Sequence, residues 1–328
     1  MGIERLIVPA HEAPDALARA FRADVLAGLS QPHKAVPARW LYDERGSHLF
    51  EEITALPEYY PTRVEAQILN TIRPEIAGCT GAGRVVVEFG SGSSGKTPLV
   101  LHAIAPAAYV PVDISGDFLR FAVGQLVEEF PTLPIHPVEA DFTRPVPLPR
   151  QVLGEPMLGF FPGSTIGNMV PASAVDLLRS MRGTLGDNAQ LLIGFDTIKD
   201  EQVLLSAYDD AAGVTAAFNL NLLNRINREL EADIPIAAFA HRAVWNDPLS
   251  RIEMHLEAQQ DARFSINGCR FLVPQGETIH TENSHKYDVR TASILLLAGG
   301  WTPLRHWQDE DGLFLVMLAQ ASEMRMAP

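Results

Sequence analysis

The sequence predicts an α/β protein with a parallel sheet and a second, discontinuous α+β domain. Three observations predict it. Short apolar runs rich in β-branched and aromatic residues ("RVVVEFG", "AYVPVDI", "LPIHPVEAD", "EPMLGFFPG" and "NAQLLIGFDTI") alternate with helix-like segments in the middle of the chain. Strands that alternate with helices build parallel sheets covered on both faces. A glycine turn follows the first of these strands and opens a helix. The alternation then breaks near Lys199 and resumes after His285, so the interruption reads as an insertion that packs with the N-terminal segment. The expected division is residues 63–198 and 286–328 for one domain, and 1–62 and 199–285 for the other.

Each element has a local reason. "APDALARAFRADVLAGLS" places Leu17, Phe21, Val25 and Leu29 on one stripe, with Asp15 as a cap. Ser47 opens a short helix in "SHLFE", and Pro61 and Thr62 lead into "TRVEAQILNTIRPEIAG". The segments "KTPLVLHAIA", "SGDFLRFAVGQLVEEF" and "SAVDLLRSMRGTL" are the helices between strands. In the insertion, two helices come first, the second with Val214, Phe218, Leu222 and Ile226 at helical spacing. "SRIEMHLEAQQDARFSINGCRFLVPQGETIHTE" alternates as strands joined by Asn267-Gly268. A helix, "TASILLLAGG", and two strands joined through "QDEDG" close the chain.

Composition narrows the function. A chain of 328 residues with 47% hydrophobic content has enough apolar material for one large domain or two smaller ones. The formal net charge of −14 argues against a nucleic-acid partner, which calls for a basic face. Two distant cysteines, Cys79 and Cys269, give neither a disulfide framework nor a zinc-binding spacing. "MGIERL" lacks both a signal-peptide core and the myristoylation pattern, and no apolar run reaches bilayer length. These features predict a cytoplasmic protein without membrane contact.

The glycine turn "VVVEFGSGSSGKTPLVL" carries the first functional signal. Gly90, Gly92 and Gly95 do not fit G-x-G-x-x-G, yet Gly90 and Gly95-Lys96-Thr97 match the phosphate-binding string G-x-x-x-x-G-K-[ST]. A nucleotide hydrolase is therefore one reading. Two features favour a nucleoside cofactor instead. Glu88 precedes the turn, and Asp113 ends the next strand, where an acid suits ribose hydroxyls. Asp141 and Phe142 follow the third strand, where an acid and a ring can hold an adenine. The plainer alternative is that Asp113 and Asp141 cap the following helices. Together the pattern resembles S-adenosylmethionine-dependent methyltransferases, which sets Glu88, Gly90, Ser91, Gly92, Lys96, Asp113, Asp141 and Phe142 as candidate cofactor residues.

Longer stretches sharpen the resemblance. "PEYYPTR", "GSTIGN" and "AYDDAAGVTAAFN", with "GETIHTENSHKY" near the end, resemble the histidine-specific Nα-methyltransferases of ergothioneine biosynthesis along nearly the whole chain. Related enzymes act on 4-dimethylallyltryptophan, so tryptophan or another amine is the alternative substrate. The resemblance implies a Rossmann-like domain with a substrate domain, S-adenosylmethionine as donor, and trimethylation of L-histidine to hercynine by a monomer. It also implies roles. Tyr42 lies towards the amine and Tyr59 towards the imidazole. Asn168 and Tyr208 hold the carboxylate, and Met254 and Phe50 line the pocket. Catalysis is carried by Tyr42 and Asn168. A helix cap for Asn168 and core positions for Tyr208 and Phe50 are the alternatives.

"GETIHTENSHKYD" crowds His280, Glu282 and His285 together, but neither H-E-x-x-H nor P-C-x-x-C accompanies them, so no metal is expected. Thr281 or Ser284 can cap a following helix. The substrate reading matches chemistry more closely. A neutral imidazole has one N–H donor and one bare acceptor nitrogen. Glu282 can accept from the first and Ser284 donate to the second, whereas an indole offers only a donor. The resemblance likewise assigns Glu282 and Ser284 to the imidazole, and leaves His280 and His285 without a role.

Overall fold

The computed structural model describes residues 14–92 and 95–322. The features expected of residues 1–13, and of the Asp15 side chain, lie outside the described residues. The chain passes back and forth between two compact units, one made of residues 61–198 and 286–322, the other of 14–60 and 199–285. It opens in the second unit with α1 (Pro14–Leu29), β1 (Lys34–Ala35) and α2 (Glu44–Thr54). Most of the first unit follows. Its helices are α3 (Tyr60–Thr71), α4 (Arg73–Thr80), α5 (Thr97–Ile104), α6 (Gly116–Glu129) and α7 (Pro171–Leu185). They alternate with β2 (Val85–Phe89), β3 (Ala108–Asp113), β4 (Val138–Glu139), β5 (Met157–Phe161) and β6 (Gln190–Asp196). The chain returns to the second unit for α8 (Glu201–Tyr208), α9 (Val214–Glu229), β7 (Phe239–Asn246), β8 (Arg251–Ala258), β9 (Ala262–Ile266), β10 (Cys269–Val273) and β11 (Thr278–His285). Finally α10 (Val289–Ala298), β12 (Trp301–Gln308) and β13 (Phe314–Ala321) rejoin the first.

The first unit is a seven-stranded sheet in the order β12-β13-β6-β5-β2-β3-β4. From β6 to β4 the pairings are parallel, while β13 and β12 run antiparallel at one edge. Every residue of β2, β5 and β6 is buried, which is why these strands read as continuous apolar runs rather than alternating ones. Each fully buried Val, Leu or Phe there contributes roughly 1.5–3 kcal/mol. Strand order reverses at β2, with β3 on one side and β5 on the other. That is the switch point at which open α/β sheets bind ligands, beyond the carboxyl ends of the strands.

In the second unit a four-stranded sheet, β1-β11-β8-β7, packs against α8 and α9. Phe218, Leu222 and Ile226 of α9 are buried, as their spacing predicts, and Phe21, Val25 and Leu29 of α1 likewise. β8 alternates strictly, with Ile252, Met254, Leu256 and Ala258 inward and Arg251, Glu253, His255 and Glu257 outward. The β9–β10 hairpin turns at Asn267 (φ 51°) and Gly268 (φ 81°), the backbone that Asn-Gly favours.

Two local expectations are corrected, and one strand is added. α2 starts at Glu44, three residues before Ser47, because the Asp43 carboxylate accepts from the Gly46 N–H at 2.8 Å. Neither Thr281 nor Ser284 caps a helix, since both lie within β11. The helix that follows is capped by Asp288, which forms a reciprocal capping box with Thr291. β7 was not foreseen: most of its residues are half-buried, so it carries no period-two pattern.

Candidate functional site

In the first unit the candidate residues gather at the carboxyl ends of β2, β3 and β5. The turn after β2 curls back on β3, with the Gly90 and Ser91 N–H groups donating to the Val112 carbonyl at 2.8 and 3.2 Å. Gly92 N–H donates to Asp113 Oδ2 at 3.0 Å, and Ser115 N–H to Asp113 Oδ1 at 2.9 Å. Gly90 (φ 71°) and Gly92 (φ 50°) occupy the left-handed region, which suits glycine. A Cβ on Gly90 would stand 3.2 Å from the Phe142 ring, and among the described residues no atom outside its chain neighbours lies within 4 Å of a Cβ on Gly92. Phe142 packs edge-on against Phe89 and Phe161. Burial pushes the Asp113 carboxyl up, opposed by the N–H groups of Ser115 and Gly92.

Glu88 is buried within β2 and takes the hydroxyls of Thr97 and Tyr109 on one oxygen, each at 2.6 Å. Burial pushes its carboxyl up to about 7, although both hydroxyls and Lys96 act the other way. Lys96 pairs with Glu65 of α3, whose same oxygen accepts from the Gly163 N–H at 2.9 Å. Gly194 makes room for that carboxylate, since a Cβ there would stand within 2.4 Å of Glu65 Oε1. The Lys-Thr end of the phosphate-binding string is therefore directed inward. Thr97 is fully buried on Glu88 and Lys96 is committed to Glu65, whereas a P-loop needs its Thr for magnesium and its Lys for phosphate.

Asp141 accepts from both the N–H and the hydroxyl of Thr143, so its local part is to start a turn, not to cap a helix. After β5, Gly163 (φ 79°) and Ser164 (φ 57°) turn the chain into a short 3-10 helix, Thr165–Asn168. The half-buried Asn168 lies two residues ahead of Val170, the cap of α7, so a capping role does not account for it. The Asp196 N–H at the end of β6 donates to Ser164 Oγ at 2.8 Å, and the Asp196 carboxylate pairs with Lys286 at 2.6 Å in full burial.

In the second unit the candidates form one connected group. Tyr42 meets Phe50 and Phe218 edge-on at 5.5 and 5.4 Å between centroids. Phe50 meets Tyr59 at 6.1 Å, and Tyr59 meets Tyr208 at 6.3 Å. The Tyr208 hydroxyl is 2.6 Å from Ser284 Oγ. In β11, Glu282 stands opposite Met254 of β8, and Ser284 opposite Ile252, all on the buried face. His241 Nε2–H donates to the Tyr208 carbonyl at 2.8 Å, while its Nδ1 accepts from Asn219 at 2.9 Å. That fixes a neutral imidazole, and burial pushes its pKa down. The arrangement is a wall of aromatic faces beside a carboxylate and a hydroxyl. Such a wall suits a small nitrogen heterocycle and a cationic amine.

No sequence signal marks Glu65, Ser164, His241 or the contact of Phe218 with Tyr42. Phe218 read only as part of a helix stripe, and nothing in sequence links Glu65 to Lys96.

The model of the family "Histidine-specific methyltransferase, SAM-dependent" matches residues 21–321. The chain belongs to this family. It is 42% identical over 318 residues to a histidine N-alpha-methyltransferase of Mycolicibacterium smegmatis, covering 94% of this chain and 97% of that one. A histidine N-alpha-methyltransferase of Mycobacterium tuberculosis is 40% identical over 322 residues, covering 96% and 99%. A crystal structure of a S-adenosylmethionine-dependent methyltransferase from Clostridium acetobutylicum shares the fold at a TM-score of 0.50 and 10% identity, covering 84% of this chain and 98% of that one. Membership of the histidine-specific methyltransferases gives S-adenosylmethionine as the methyl donor. It also removes the nucleotide-hydrolase reading, in agreement with the inward Lys96 and Thr97.

Proposed function

We propose that the protein methylates the α-amino nitrogen of L-histidine three times to give hercynine, the step that opens ergothioneine biosynthesis. The observation that carries this reading is the pairing of Glu282 and Ser284 on the buried face of β11, beside Met254 and Tyr208. In it, residues 63–198 and 286–328 serve the donor, and residues 1–62 and 199–285 serve the substrate.

The residues of the first unit fit the donor. When bound, S-adenosylmethionine supplies a methyl group activated by a positive sulfonium. Lys96 is committed to Glu65 and the Asp113 carboxylate stands beside the glycine turn, a balance that suits a cation better than a triphosphate. In this reading Asp113 accepts from ribose hydroxyls, Phe142 covers a ring beside Gly90, and Asp141 takes an exocyclic amino group. Gly90, Ser91 and Gly92 keep the backbone open to close approach.

The second unit reads the substrate. Glu282 accepts from the imidazole N–H, and Ser284 donates to the bare nitrogen. With the serine proton so used, the Tyr208 hydroxyl donates to Ser284 and supports the reader. Tyr59, Met254 and Phe50 wall the ring, and Tyr42 faces the amine as its charge becomes permanent. The free amine is itself the nucleophile, so each transfer needs in-line placement and exclusion of water more than a strong base. Each transfer forms one C–N bond and breaks one C–S bond. The first two release a proton from nitrogen.

The reading extends to a cytoplasmic monomer that binds no nucleic acid. Among the described residues no helix is long and apolar enough to cross a membrane. Mass spectrometry of a reaction with histidine and S-adenosylmethionine tests the activity. Hercynine should appear with three equivalents of S-adenosylhomocysteine. Methylation of tryptophan or another amine in preference to histidine would overturn the substrate assignment.

A further inference from the structure

β11 does not pair with β8 at a constant register. Thr278, Ile279 and His280 pair with Glu257, Leu256 and His255, and then the register slips, so that Glu282 pairs with Met254. Thr281 is the extra residue of a β-bulge. Side chains of a strand alternate between faces, so without the bulge Glu282 and Ser284 would follow His280 onto the outer face. With it, His280 stays outward beside His255, while Glu282 and Ser284 turn to the buried face.

Two side chains hold the bulge. Thr281 Oγ1 donates to the Met254 carbonyl at 3.0 Å. His280 Nε2 lies 2.9 Å from the Glu282 carbonyl, which can only accept, so that nitrogen carries the proton. The His280 ring is itself fixed. It stacks on His255 at 4.7 Å and 20°. His255 is held at Nε2 by Glu253 (3.1 Å) and at Nδ1 by Thr278 (3.2 Å), and Glu253 by Arg251 and Asn246. Glu253, His255 and His280 bring ligand atoms within 4.8 Å of one another, as a metal site would. The geometry argues otherwise: stacked rings do not converge their in-plane lone pairs on one ion, and an arginine already sits on the carboxylate.

We infer that His280 is a positioning residue for substrate selection, its Nε2–H clamp on the Glu282 carbonyl fixing the bulge that aims Glu282 and Ser284 at the imidazole. This rests on the reader role proposed for those two residues. His280 touches no substrate and acts only through the strand.

The test compares His280→Phe, His280→Gln and His280→Asn. Phe keeps a ring for stacking but has no donor. Gln can place an amide N–H near the position of Nε2, and Asn is too short to do so. The Phe and Asn variants should raise the KM for histidine about tenfold with the KM for S-adenosylmethionine unchanged, and Gln should restore it to within about twofold. Should Phe fail to fold, the Gln and Asn pair decides alone. Equal behaviour of Gln and Asn, or a matching rise in both KM values, overturns the clamp. Glu282→Gln is run in parallel. If it leaves the histidine KM unchanged, the reader role itself is wrong. If it raises KM while His280→Phe does not, only the clamp falls. Combined with Glu282→Gln, His280→Phe should add little, because both act on one contact.

Discussion

Glu88 is an acid enclosed by its own strand, and its proton follows from that. Its folded pKa, about 7, lies above the ordinary 4.5, so the folded state holds the proton more tightly. The stabilisation is full below about pH 4.5 and is lost as pH rises through about 7, a change worth up to about 3 kcal/mol. Glu88→Gln can accept the same two hydroxyls through its amide oxygen and has no charge to gain. Its thermal midpoint should gain on the wild type by several degrees between about pH 5 and pH 8. Parallel midpoint curves would show that Glu88 does not titrate in this range. At Tyr208, removal of the hydroxyl leaves Ser284 without that partner. Tyr208→Phe should raise the histidine KM about five- to tenfold at unchanged cofactor affinity, measured by steady-state kinetics and calorimetry. The sequence suggests Glu282 and Ser284 as a pair through donor and acceptor chemistry and the family resemblance; their shared buried face on β11 is what the fold adds. The inward commitment of Lys96 was not legible, since its partner Glu65 lies 31 positions away on another helix.

At the scale of elements, α10 depends on a cap that the sequence displays as D-x-x-T. Asp288→Ala removes the carboxylate that accepts from the Thr291 N–H, while the backbone N–H at position 288 can still donate to Thr291 Oγ1, and should cost about 1 kcal/mol, read from urea unfolding. No loss would mean that another group satisfies Thr291 N–H. Elements with one buried face declared themselves. The stripe Phe21, Val25, Leu29 and the Asn267-Gly268 hairpin are examples, because periodicity and turn chemistry are short-range properties. β7 stayed hidden because it is half-buried along most of its length. The bulge at Thr281 stayed hidden for a different reason. A single extra residue changes neither composition nor propensity, and becomes visible only when the partner strand supplies the register.

For the molecule as a whole, the glycine turn decides between two ligands that the string "GSGSSGKT" left open. Thermal shift should show a rise in midpoint with S-adenosylhomocysteine and none with magnesium and ATP. At about a hundredfold excess over Kd the expected stabilisation is about 2.7 kcal/mol. A rise with ATP alone would reverse the assignment of the first unit. The passage of the chain between two units also bears on how the protein is made. β1 leaves the ribosome early, yet its partner Ile279–His280 emerges about 245 positions later, a wait of about 10–50 s at ordinary rates of synthesis. Through that interval the apolar stripe of α1 has no completed sheet beside it. Production should therefore respond to chaperone supply and to lower temperature more strongly than expected for a chain of this length. The yield of folded protein at two growth temperatures, with and without added chaperones, measures it.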